Sequence, residues 1–292
     1  MSSEKIFLIL LIPAVLILSC KSHEDDNSVL LFKIDGKETA YPRLSADDKK
    51  VLYQTNEKGH WQLAIMDLES GTHTPVSPDA YNNNFPDWSP DNKWIAFTSD
   101  RDGNEEIYLL NIESGNLKRI THDPARDIHP YFSPDGSSLL FNSTRGEGTF
   151  DVYQYYFSND SLVQIISSPG DETCPSLSPD AKQVLILQYT DTGGDVVLMN
   201  VSTGERKNIT NTPSVSKGWP IFGHDNEWIY FSSQESGPFC IYRIKTDGTG
   251  QQKLTNARRN EEDARVSVSK DGKWFIYNKR VRNTLEIRSA TI

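Results

Sequence analysis

Six times the chain writes a four-residue turn whose third member is aspartate. The turns are SADD from Ser45, SPDN from Ser89, SPDG from Ser133, SPDA from Ser178, GHDN from Gly223 and SKDG from Ser269, spaced 44, 44, 45, 45 and 46 residues apart. A period of this length means a stack of like units rather than one continuous core. Ser-Pro-Asp-Gly suits a type I turn: Ser caps, Pro presets φ at the second position, and Gly or Asn accepts the exit conformation. Six residues after each anchor a β-type run begins, Val51-Leu52-Tyr53, Ile95-Ala96-Phe97, Leu139-Leu140-Phe141, Val184-Leu185-Ile186, Ile229-Tyr230-Phe231 and Phe275-Ile276-Tyr277. A polar hairpin, a third run such as Ile107-Tyr108-Leu109-Leu110, a Gly-containing turn and a short fourth run ending in hydrophobic-Thr or hydrophobic-Ser follow. Each unit reads as four short antiparallel strands, with no helical period competing after residue 27.

One such sheet cannot bury both faces. Arranged radially, each packs on two neighbours and leaves only short edges, which predicts an all-β, six-bladed β-propeller of four-stranded blades. The last unit stops at its third strand, and a spare strand, Val29-Leu30-Leu31-Phe32-Lys33, lies upstream of the first turn. Lys33 stands nine residues before Pro42, in register with the fourth strands elsewhere. The expectation is a ring closed by this N-terminal strand, over residues 28–292.

The words P-x-F/W-S-P-D-G, strand, T-S-D-R-D-G-N-x-x-I-Y and the closing hydrophobic-Thr resemble the TolB-type, WD40-like Pro-Asp propeller repeat, with Ala46 and His224 where the pattern has Pro. The resemblance covers nearly all of residues 28–292. It implies architecture more than activity.

Ahead of the repeat, residues 6–19 are apolar, too short to span a bilayer comfortably and interrupted by Pro13. They end at Ile17-Leu18-Ser19-Cys20, which resembles a bacterial lipobox with Cys20 as lipid acceptor. An uncleaved anchor and an ordinary secretory leader are the alternatives. The expected division is a signal peptide over 1–19, a tether over 20–27 and the propeller thereafter. Without Asp after Cys20, the segment looks like that of an outer-membrane lipoprotein, facing either the periplasm or the surface. The formal charge of −10, with no basic stripe, argues against nucleic acid. Cys174 and Cys240 remain, with a disulfide compatible but not implied.

Variation over a constant frame marks candidate binding positions. The residue before each Pro position is Tyr41, Phe85, His129, Cys174, Trp219 and Arg265. Three before each Pro position stand Thr39, Asn83, Asp127, Glu172, Lys217 and Asp263. Both sets fall on the rim opposite the Ser-Pro-Asp turns, and nine residues are the expected ligand contacts: Tyr41, Phe85, Asp127, His129, Glu172, Lys217, Trp219, Asp263 and Arg265. The same pattern also suits a hydrated mouth that binds nothing. No G-x-S-x-G elbow, phosphate loop, dinucleotide fingerprint or metal-ligand spacing occurs, so no catalytic residue, metal or cofactor is expected. The expectation is a lipid-anchored envelope module that binds a protein, peptide or glycan. The alternatives are a carbohydrate-active lyase or hydrolase using His129 with Asp127 or Glu172, as the propeller-bearing oligogalacturonate lyases suggest, and a structural spacer.

Overall fold

The computed structural model describes residues 28–77, 80–146 and 148–292. The expected leader, the acceptor Cys20 and the tether lie outside the described residues.

The turns behave as their residues dictate. In five blades the anchor serine donates its hydroxyl to the aspartate two residues on, at 2.6 to 2.8 Å. The same hydroxyl accepts the backbone N–H five residues on, at 2.8 to 3.2 Å. Blade five, with Gly223, does without it. The fourth turn residue is left-handed in every blade, with φ from 57° to 72° at Asp48, Asn92, Gly136, Ala181, Asn226 and Gly272. Asn and Gly tolerate this conformation, whereas Ala181 is strained there.

Among the described residues 24 strands form six antiparallel four-stranded sheets, and no helix occurs. Alternation with period two sends successive side chains of each second strand to opposite neighbours. Ile95 and Phe97 enter a cluster shared with blade one, while Ala96 enters one shared with blade three. Leu139 and Phe141 face blade two, and Leu140 faces blade four. The rule holds around the circle, so six apolar clusters cement six interfaces, the sixth joining blade six to blade one. The hydrophobic core is therefore divided into six wedges.

Closure follows the sequence expectation. The strand Val29–Phe32 pairs with Thr284–Thr291 and completes blade six, with Val29 opposite Ser289 and Phe32 opposite Ile287. It ends one residue earlier than read from the sequence, at Phe32. Phe32 packs on Tyr53 at 4.7 Å and His73 at 4.8 Å in blade one, and Arg288 Nε donates to Ser28 Oγ at 2.7 Å.

Candidate functional site

Midway along each innermost strand the pairing with the second strand slips. A bulge of this kind bends the strand and re-aims a side chain. In each bulge one non-glycine residue is left-handed: Tyr41 (φ 53°), Phe85 (53°), His129 (55°), Cys174 (53°), Trp219 (52°) and Arg265 (57°). That conformation costs about 1–2 kcal/mol per L-residue, so something must hold it. Amide side chains from the preceding blade do so in three places. The N–H of Tyr41 donates to Asn278 Oδ1 at 2.9 Å, that of Phe85 to Gln54 Oε1 at 2.9 Å, and that of Cys174 to Asn142 Oδ1 at 3.0 Å. Asn278 and Asn142 complete a two-point clamp by donating to the Thr39 and Glu172 carbonyls. Sequence reasoning passed over these amides. Their signal is an amide closing an otherwise apolar run, as in LLFN and FIYN.

The six re-aimed side chains converge on the propeller axis and nearly close it, leaving a cavity of 40 Å³. Tyr41 meets Phe85 edge-on at 4.9 Å, and Phe85 meets His129 at 4.0 Å. The Arg265 guanidinium lies over the Tyr41 ring at 4.1 Å and the Trp219 ring at 4.2 Å, while Trp219 Nε1–H donates to Tyr41 Oη at 3.2 Å. Burial, reinforced by the positive charge of Arg265 and Arg43, pushes His129 down to about 3, so its imidazole is neutral at ordinary pH. Burial raises the Tyr41 phenol and the Cys174 thiol above their usual values. A thiol raised this way is a poor nucleophile.

Five of the nine expected contacts therefore meet at this hub: Tyr41, Phe85, His129, Trp219 and Arg265. The other four do not join them. Asp127, Glu172, Lys217 and Asp263 are buried inside the wall, where each meets an opposite charge. Asp127 accepts from Arg145 at 2.5 Å, Glu172 from Arg206 at 2.7 Å, and Asp263 lies 3.4 Å from Lys279. Lys217 Nζ donates to Asp195 and to the carbonyls of Gly194, Thr212 and Val215, at 2.7 to 3.1 Å. The bulge lies between these positions and the hub residue two places on, which is why residues two apart do not share a face.

On the turn side the axis opens into a larger funnel of 400 Å³. Its floor includes the residue after the Pro position in five blades, Arg43, Asp87, Tyr131, Ile221 and Ser267, which sequence reasoning left aside. Arg43 stands 3.7 Å from Asp87 and 5.5 Å over the Tyr131 ring. Burial, opposed by Arg43, pushes Asp87 up to about 6. Among the described residues no three His, Cys, Asp or Glu side chains cluster closely enough to hold a metal ion.

A TolB homolog of Chlorobium luteolum is 27% identical over 126 residues, 43% of this chain and 28% of its own length. Four curated relatives are matched over 24% to 33% of their own length. The crystal structure of TolB from Acinetobacter baumannii superposes with a TM-score of 0.68 at 25% identity, over 75% of this chain and 55% of that one. The structure of a putative TolB from Agrobacterium tumefaciens gives 0.72 at 16% identity, over 92% and 99%. The TolB β-propeller domain matches residues 26–168 and 161–292, in step with the repeat, the six blades and the ring closure. The chain belongs to the TolB β-propeller family.

Proposed function

We propose that the protein is a non-catalytic binding module, held in a bacterial cell envelope by a lipid on Cys20, that recognises a protein, peptide or glycan at its hub. One observation carries this reading. Six strained backbone positions aim side chains at a single axial point, at a place in the repeat where every blade has a different residue. Strain that a fold maintains at one locus is a pointer to function. Tyr41, Phe85 and Trp219 supply stacking area there, Arg265 and His129 supply polar contacts, and Asp127, Glu172, Lys217 and Asp263 stiffen the wall behind them. The lyase or hydrolase alternative asks His129 to work with Asp127 or Glu172, and arginines hold both carboxylates. The apolar run before Cys20 and the family's TolB members support an envelope location.

The test is a panel of envelope-derived peptides and oligosaccharides offered to the purified protein and to a Trp219→Ala, His129→Ala double variant. Capture of at least one member is expected, weakened at least tenfold in a variant that still unfolds cooperatively. Unchanged capture by the variant overturns the site, and capture of nothing overturns the function. For the anchor, labelled fatty acid enters the wild type but not Cys20→Ser; equal labelling overturns it.

A further inference from the structure

Every charged side chain among the nine expected contacts is paired inside the wall except one. Arg265 stands at the hub with aromatic faces on two sides, its Nε buried without a hydrogen-bond partner. The two ring nitrogens of His129, which lines the same cavity, are also buried and unpartnered. The remaining lining is aromatic rings, prolines, aliphatic side chains, Cys174 and Arg43, with no Asp or Glu. Arg43 already has Asp87 beside it. A protein of net charge −10 has thus gathered donors without partners at its axis and kept Asp and Glu out of the lining. Buried polar groups are normally satisfied, so a cluster of three unpartnered nitrogens calls for an explanation. The neutral state of His129 fits, because a neutral imidazole donates one N–H without adding charge.

We propose that the hub is a receptor for one carboxylate group, its oxygens taken by Arg265, itself held against the Tyr41 and Trp219 rings, and by the His129 N–H. This deepens the binding reading above by naming the chemistry of the ligand. The size agrees. The space left there, about 40 Å³, is more than the roughly 10–15 Å³ that one water fills, so it admits a small polar group. Guanidinium matches carboxylate with a two-pronged donor geometry that ammonium lacks. The carboxylate comes either from a free small acid or from the end of a peptide chain.

Trp219, stacked on Arg265, is the reporter. Titrating acetate should change tryptophan emission saturably in the wild type. Acetamide, neutral and of similar shape, should not, and Trp219→Phe should silence the signal. Arg265→Gln should weaken acetate about tenfold to a hundredfold, with Arg265→Lys between. If the Gln variant fails to fold, calorimetric titration of the wild type with acetate against acetamide decides alone. A tripeptide with a free C-terminus that binds more tightly than acetate, and loses this when amidated, identifies a chain end as the source. A tripeptide no tighter than acetate identifies a free acid. No saturable response to acetate, or equal midpoints for wild type and the Arg265 variants, overturns the proposal. Acetate binding with an empty peptide and glycan panel leaves the anion site standing and removes the recognition role; the reverse pattern does the opposite.

Discussion

Lys217, in the wall of blade five, and Arg265, at the hub end of blade six, are both cations drawn largely out of water. Lys217 is surrounded by three carbonyls and the Asp195 carboxylate. Arg265 has two ring faces and an unpartnered nitrogen. The backbone shows the same contrast. Lys217 pairs in register with Ser233, whereas Arg265 is left-handed at a bulge. Wall and hub belong to the same strands, a few residues apart. The difference teaches that this scaffold separates stability from recognition within each blade: charges are neutralised where sheets must hold together, and donors stay open where the sheets meet the axis.

The largest test of the wall is removal of residues 28–32. Blade six would then expose the Thr284–Thr291 edge and the blade-one cluster would lose Phe32, so loss of cooperative unfolding, or association through the bare edge, is expected in denaturation and light-scattering measurements. Lys217→Met should cost about 3–5 kcal/mol in urea titration, because it leaves Asp195 buried without its cation. Asp195→Asn added to it should recover part of the loss.

At the hub, His129→Phe should change how stability depends on acid. The native imidazole titrates near 3, below an unfolded value of about 6.5, so between those limits the unfolded chain binds a proton the native one does not. The stability His129 provides is complete above pH 6.5 and is lost as pH falls toward 3. Asp87, raised to about 6, has the opposite slope between about pH 4 and 6, because there the native state holds the extra proton. Between pH 7 and 4.5 the Phe variant should therefore gain on the wild type by on the order of 2 kcal/mol, read from urea curves at the two pH values. Equal pH profiles would mean that the hub is wet enough to charge the imidazole. The smallest effect belongs to the wall again: Ala181→Gly relieves the strained turn exit and should stabilise by about 0.5–1 kcal/mol.

Much of the fold was legible because its rules are local. Ser, Pro and Asp set the turns, period two sets the faces, and a spare strand at one end answers a missing one at the other. The hub positions were legible as the variable residue before each Pro. What lies around them was not. Asp127, Glu172, Lys217 and Asp263 look like mouth residues until their partners are known, and those partners lie 16 to 34 residues away in hairpins with no common spacing. A bulge also cancels the alternation that would have separated the two sets. The Arg43–Asp87 funnel was missed for a related reason. The position after each Pro holds Arg, Asp, Tyr, Ser, Ile and Ser, and only the ring brings the first three together.

The seam between Ser28 and Arg288 joins residues 260 apart in the chain. A ribosome adding about 5–20 residues per second needs roughly 15–50 s to make that interval. Throughout it the earliest blade waits with one flank bare, facing a partner that does not yet exist. The fastening strand thus sets a long window of vulnerability during synthesis, and the finished protein's resistance to unfolding says nothing about how safely it gets there.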